Sequence, residues 1–183
     1  MQKIQTKIDG LFVIKNDCFN DKRGSFMESW NIQICEHNNL NTDFTQDNIS
    51  ISKQNVIRGL HFQNKPYGQT KYVRVIKGKA LDVVVDIRKK SKTFGECFSI
   101  ELSNQNDGLW IPSGMAHGFL SLEENTIFSY KCSGEYQPQH SHTIKWNDED
   151  LNIEWGITNP IISDKDNNGM SLKQYLKSDQ INA

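Results

Sequence analysis

The sequence predicts an all-β fold: a jelly-roll or related β-barrel in one domain over residues 1–183, with a few short helices, mainly near the C-terminus. Three observations predict it. Apolar residues recur at a period of two through the middle of the chain, the pattern of half-buried strands. Strand candidates far outnumber helical ones, and many short strands pack as a sandwich or barrel. The chain has 183 residues, 36% of them hydrophobic and 23% charged, enough for one core without disulfides or metals.

Within Phe44 to Ser52, Gln46, Asn48, Ser50 and Ser52 share one face, and Asp47, Ile49 and Ile51 the other. The polar face either meets solvent or lines a barrel interior. Val56 to Gln63 is strand-like, and Gly59 leaves room for close approach of a ligand or backbone. Tyr72 to Ile76 is rich in β-branched residues. From Leu81 to Arg88, Leu81, Val83, Val85 and Ile87 alternate with Asp82, Val84, Asp86 and Arg88. The intervening Lys77-Gly78-Lys79 supplies a turn, which predicts a hairpin. Phe98, Ile100 and Leu102 alternate with polar residues, and Thr126 to Lys131 and Thr143 to Trp146 are shorter strand candidates. Leu172, Tyr175 and Leu176 follow helical spacing, and a short helix is expected over Asn31 to Asn38. Ile4, Ile8, Leu11 and Val13 form either an exchanged edge strand or part of the protomer's own core.

Composition excludes several function classes. The formal net charge is -1, so no basic field exists to hold a nucleic-acid backbone. No apolar stretch reaches the roughly 20 residues that span a bilayer. Met1 to Asp9 lacks the apolar core of a signal peptide. Cys18, Cys35, Cys97 and Cys132 are scattered, with no C-x-x-C pair, and read as reduced thiols of a cytoplasmic protein.

Arg58 and His61 stand among apolar neighbours on one strand. Lys71 alternates in phase with Val73 and Val75, so its ammonium faces the core side, where it requires an anionic partner or an outlet to water. A phosphate or a developing enolate would serve. Trp110 to Phe119 holds the densest motif, Pro112-x-Gly114-x-x-His117. It resembles the second motif of the cupin superfamily, whose metal-binding members take further ligands from an H-x-H pair and a carboxylate. Here Gly59-Leu60-His61-Phe62-Gln63 offers one histidine. His61 and His117 alone make a poor metal site, and no metal is expected.

Further motifs follow in order: Asp21-Lys22-Arg23-Gly24-Ser25-Phe26, Gln46-Asp47-Asn48, Arg58 to Gln63, Trp110-Ile111-Pro112, Ala116-His117-Gly118-Phe119, Trp146-Asn147-Asp148 and Ser163-Asp164-Lys165-Asp166. Each is weak alone. The ordered set, from about Gly10 to Asp166, resembles the dTDP-4-dehydrorhamnose 3,5-epimerase family.

The resemblance implies a cupin-like jelly roll, a homodimer, and an isomerase needing no cofactor. Its implied reaction inverts C3 and C5 of a dTDP-linked 4-keto-6-deoxyhexose through an enolate, with the substrate's own ketone as electron sink. It implies His61 as base, Asp166 as the carboxylate that supports it, Tyr130 as acid and Lys71 beside the enolate oxygen. It further implies substrate contacts from Arg23, Phe26, Glu28, Gln46, Asn48, Arg58, His117 and Lys165, with Tyr136 stacking on the base. Ser141 departs from the family pattern, which often has glutamate there, and Gly156 stands where proline is common. A single-position epimerase, a metal-dependent cupin and a sugar-nucleotide binding module are the alternatives.

Overall fold

The computed structural model describes residues 1–40, 43–103 and 107–183. In chain order the strands are β1 (Gln2–Gln5), β2 (Phe12–Lys15), β3 (Cys18–Asp21), β4 (Gly24–Met27), β5 (Phe44–Ser52), β6 (Ile57–Gln63), β7 (Lys71–Lys77), β8 (Lys79–Asp86), β9 (Cys97–Ser103), β10 (Asp107–Ile111), β11 (Met115–Ser121), β12 (Thr126–Ser133) and β13 (Ser141–Thr143). Three short α-helices are described, α1 (Ile32–His37), α2 (Asp164–Asn167) and α3 (Leu172–Lys177), with a 3₁₀ turn at Pro138–His140. The strands build a six-stranded sheet, ordered β1-β2-β10-β7-β12-β5, and a five-stranded sheet, ordered β13-β6-β11-β8-β9. β3 and β4 form a two-stranded ribbon of their own.

The two large sheets enclose an apolar layer. Val73, Val75, Leu109, Ile111 and Phe128 from one meet Ala80, Val84, Leu102, Met115 and Phe119 from the other. This is the cupin-like sandwich expected from the sequence. A second layer lies behind the five-stranded sheet, where Ile57, Leu60, Phe62, Val83, Val85 and Ile87 are covered by Ile144, Leu151, Trp155, Leu172 and Tyr175. β8 is therefore buried on both faces, which the alternation of Leu81 to Ile87 alone does not reveal. A third, smaller cluster of Ile14, Cys35, Leu40, Tyr72 and Trp110 seats α1 on the six-stranded sheet.

The helices follow their caps. Asn31 caps α1 by accepting from the amides of Gln33 and Ile34, and Ser171 and Gln174 form a capping box at α3. α3 buries Leu172 and Tyr175 but leaves Leu176 exposed. The Tyr175 hydroxyl donates to the Ile87 carbonyl at 2.7 Å, tying the C-terminal cover to β8.

Two expectations need correction, and three others are decided. Lys77-Gly78-Lys79 does turn, with Gly78 at φ +82, yet β7 and β8 do not pair. The turn carries the chain from one sheet into the other, and β7 pairs β10 and β12 while β8 pairs β11 and β9. The Thr143 to Trp146 strand is displaced: β13 ends at Thr143, and beyond it Ile144 exchanges two backbone hydrogen bonds with Leu60 and bridges to Met170. The N-terminal segment packs at home, with Ile8, Leu11 and Val13 in the protomer's own core and Ile4 at 36% exposure. On β5, Ile49 and Ile51 are exposed while Asn48, Ser50 and Ser52 are half-buried or buried, so over this stretch the polar face is the inward one. All four cysteines are free.

Candidate active site

β6 brings its chemistry to one face through a bulge. His61 pairs with His117 and Arg58 with Phe119, so Gly59 and Leu60 together oppose Gly118. In a regular strand, residues three apart point to opposite faces; the extra residue restores Arg58 and His61 to the same, inner one. Glycine is required there. Gly59 has φ +132, and a Cβ on it would lie 2.4 Å from the Gly118 Cα and 2.8 Å from the His117 carbonyl oxygen.

The inner face opens on a cavity of about 320 Å³. β6 contributes His61 and Gln63, β5 contributes Gln46 and Asn48, β7 contributes Lys71, and β12 contributes Tyr130. Tyr136, Ser141 and Lys165 complete the rim. His61 thus comes from one sheet, and Tyr130 and Lys71 from the other. Among the described residues, the lining holds two lysines and no carboxylate, a field that favours an anionic ligand.

Asp166 lies behind His61 rather than in the cavity. Ser163 caps α2, its hydroxyl accepting from the Asp166 amide at 3.2 Å, and Asp166 is 4% exposed. Its Oδ1 lies 2.6 Å from His61 Nε2, and its Oδ2 accepts the Gly59 amide at 3.2 Å. Burial lowers the pKa of the His61 imidazole, outweighing the opposing pull of Asp166. Burial alone would raise the Asp166 carboxyl, but His61, the Gly59 amide and Ser163 together hold it below the usual carboxylate range. At neutral pH the pair is a carboxylate and a neutral imidazole. Nε2 then carries the proton and donates it to Asp166, which leaves the Nδ1 lone pair as the basic atom.

The Lys71 ammonium is destabilised by burial, with Cys132 and Asp82 opposing, and it donates to the His61 carbonyl at 3.4 Å. Burial pushes the Tyr130 phenol up, so it stays protonated at neutral pH. An imidazole, a protonated phenol and a lysine side chain therefore share one cavity.

The other expected residues divide. Arg58 sits beside the cavity, its Nε donating to Ser52 Oγ at 3.1 Å, and its charge acts on Tyr130. Lys165 Nζ donates to Ser141 Oγ at 3.3 Å. His117 does not line the cavity: it is 7% exposed, its Nε2 lies 2.9 Å from Asp82 Oδ2, and its ring stacks on Phe128. Arg23, Phe26 and Glu28 are also absent from the lining. They belong to the β3–β4 ribbon and its exit, which pairs with neither large sheet; Phe26 is 70% exposed, and Arg23 bonds Asp21. Among the described residues, no three histidine, cysteine or acidic side chains converge on a metal-ligand position. Gln63, Gln69 and Cys132 line the cavity without having been singled out from sequence. Gln63 and Cys132 each lie two residues beyond an expected site residue on the same strand, so strand alternation carried that signal.

A family model described as dTDP-4-dehydrorhamnose 3,5-epimerase matches residues 5–174. A dTDP-4-dehydrorhamnose 3,5-epimerase of Shigella flexneri is 44% identical over 174 residues, covering 94% of this chain and 96% of the relative. The crystal structure of the Legionella pneumophila dTDP-6-deoxy-D-glucose-3,5-epimerase in complex with dTDP-4-keto-L-rhamnose is similar, with a TM-score of 0.89, 38% identity, and coverage of 94% and 93% of the two chains. So is that of ChmJ, a 3'-monoepimerase from Streptomyces bikiniensis in complex with dTDP-quinovose, at a TM-score of 0.91 and 28% identity, covering 98% and 92%. Sequence, fold and the composition of the cavity agree: the chain belongs to the dTDP-4-dehydrorhamnose 3,5-epimerase family.

Proposed function

We propose that the protein, as one domain, epimerises C3 and C5 of dTDP-4-dehydro-6-deoxyglucose to give dTDP-4-dehydrorhamnose. The observation that carries this reading is the His61–Asp166 contact of 2.6 Å at the wall of a cavity that also holds Tyr130 and Lys71. His61 Nδ1 takes the proton from the carbon next to the ketone. The C–H electron pair becomes the enolate double bond, and the carbonyl pair moves onto oxygen. The Lys71 ammonium stabilises that oxygen, and the Tyr130 hydroxyl returns a proton to the opposite face of the carbon. His61 then loses its proton to solvent, and Tyr130 regains one. Asp166 fixes the imidazole tautomer and stabilises its charged form.

Gln46, Asn48, Arg58 and Lys165 hold the sugar and diphosphate, with Tyr136 as the platform for the base. His117 supports the floor through its contact with Asp82. We assign Arg23, Phe26 and Glu28 to a homodimer, in which the exposed ribbon contacts the ligand of a second copy. The exposed Ile49 and Ile51 on β5, at the edge of the six-stranded sheet, support such an interface. Among the described residues, no helix is long and apolar enough to cross a membrane. The four free thiols suit the cytoplasm.

The test is turnover of dTDP-4-dehydro-6-deoxyglucose in D₂O, followed by NMR. Solvent deuterium at both C3 and C5 with inversion at both supports the reading, and the absence of exchange at either carbon rejects it. Exchange at one carbon alone selects the second reading, a single-position epimerase, which the likeness to the 3'-monoepimerase favours.

A further inference from the structure

We infer that Gln63 is a positioning residue that holds Tyr136 at the cavity rim and so sets affinity for the aromatic base of the ligand. This rests on the reading of Tyr136 as the base platform. Gln63 is 6% exposed. Its Nε2 donates to the Tyr67 carbonyl at 2.7 Å and to the Glu135 carbonyl at 3.0 Å, and its Oε1 accepts the Gln137 amide at 2.7 Å. One side chain thereby grips the backbone immediately before and immediately after Tyr136.

The grip matters because residues 134–137 lie outside any helix or strand, between β12 and the turn at Pro138–His140. Tyr136 is 52% exposed, so packing holds only part of its ring. The segment follows Gly134, at φ +64, outside any strand. A stacking platform that must be ordered on binding loses affinity to that ordering, and one already held does not. The side-chain chemistry is specific. A carboxamide offers two donors and an acceptor, and here both carbonyls receive a donor while the amide meets the acceptor. Glutamate would keep the acceptor but set negative oxygens against two carbonyls. Methionine would keep the volume and lose all three bonds.

The experiment measures binding of dTDP and of inorganic pyrophosphate by calorimetry, and KM and kcat with dTDP-4-dehydro-6-deoxyglucose. It compares Gln63→Met, Tyr136→Ala and the double variant. Gln63→Met is expected to weaken dTDP roughly 10-fold, to raise KM far more than it lowers kcat, and to leave pyrophosphate binding unchanged, because pyrophosphate has no base. The double variant is expected to bind dTDP no more weakly than Tyr136→Ala alone. Additive losses, or an equal loss of pyrophosphate, overturn the assignment. If Tyr136→Ala weakens dTDP and Gln63→Met does not, only the role of Gln63 falls. If Tyr136→Ala leaves dTDP binding intact, the stacking reading falls, and Gln63 with it. Should the methionine variant not fold, Gln63→Leu, which also removes all three bonds and adds no charge to the cavity, carries the same expectations.

Discussion

His61 Nε2 and Asp166 Oδ1 stand 2.6 Å apart although 105 positions separate the two residues in the chain. The contact fixes which imidazole nitrogen bears the proton. Asp166→Asn is expected to lower kcat by about 10²–10⁴-fold, since the amide can present a donor to Nε2 and reverse the tautomer. Its pH profile carries a second expectation. The base works when neutral, so the acid limb of kcat/KM should lie below the ordinary histidine value of 6.5 in the unaltered protein. Asp166 pulls the His61 pKa upward, so its neutralisation should move that limb to still lower pH. A limb moving upward in a pH series of initial rates contradicts this.

Under the proposed mechanism, Tyr130→Phe removes the proton donor and leaves the base. Deuterium should still enter the substrate from D₂O, while inversion falls by about 10²–10⁴-fold. NMR of recovered substrate separates the two quantities. Equal loss of exchange and inversion would place Tyr130 in the proton-removal step instead.

Lys71→Met keeps the length of the side chain and removes its charge. If Lys71 stands beside the enolate oxygen as proposed, its loss is expected to cost about 3 kcal/mol in the barrier, or roughly 10²-fold in kcat, with a smaller change in KM. Steady-state kinetics at saturating substrate checks it.

Gly59→Ala meets backbone on two sides, with a Cβ 2.4 Å from the Gly118 Cα. The expected destabilisation is about 2 kcal/mol, a fall in Tm of roughly 4–8 °C. Because the bulge aims His61, kcat should fall further than Tm alone explains. An alanine variant of normal stability and rate contradicts the bulge.

Asp86 is fully buried and accepts from Arg88, Ser91 and Thr93. Burial opposes ionisation, yet these partners depress its pKa from 3.8 to about 2. A depressed carboxylate contributes stability that is complete above the unfolded value and disappears as pH falls toward the folded one. About 2 kcal/mol of stability should therefore be lost between pH 4 and 2. Denaturant melts should show Asp86→Asn less stable than the unaltered protein at pH 7, with the gap narrowing below pH 4.

The sequence exposed the strands better than their partners. Alternation from Leu81 to Ile87 marks β8 because side-chain period is a local property. The pairing of β8 with β11 is not local, and Gly78 gives a turn without specifying which sheet the next strand joins. The site was legible unevenly for the same reason. His61 and Lys71 carry a local signal, a titratable group among apolar neighbours. Asp166 carries none, since its environment is made by a strand far away in the chain, and only the family resemblance pointed to it. The shared face of Arg58 and His61 depends on the bulge at Gly59, which strict alternation contradicts. Gln63 was readable from its phase with His61, but its bonds to the backbone around Tyr136 were not.

The strand order has a consequence for how the chain is made. β2, near the start, lies between β1 and β10, so one of its edges stays open until Asp107–Ile111 has left the ribosome. β6 likewise waits for β11 and β13. Partners this remote in the chain must close large loops before any pairing rewards them, which makes assembly slow and late. A nascent or truncated chain would present raw strand edges to its neighbours, and a helper that shields such edges would matter most before the last third of the polypeptide has emerged.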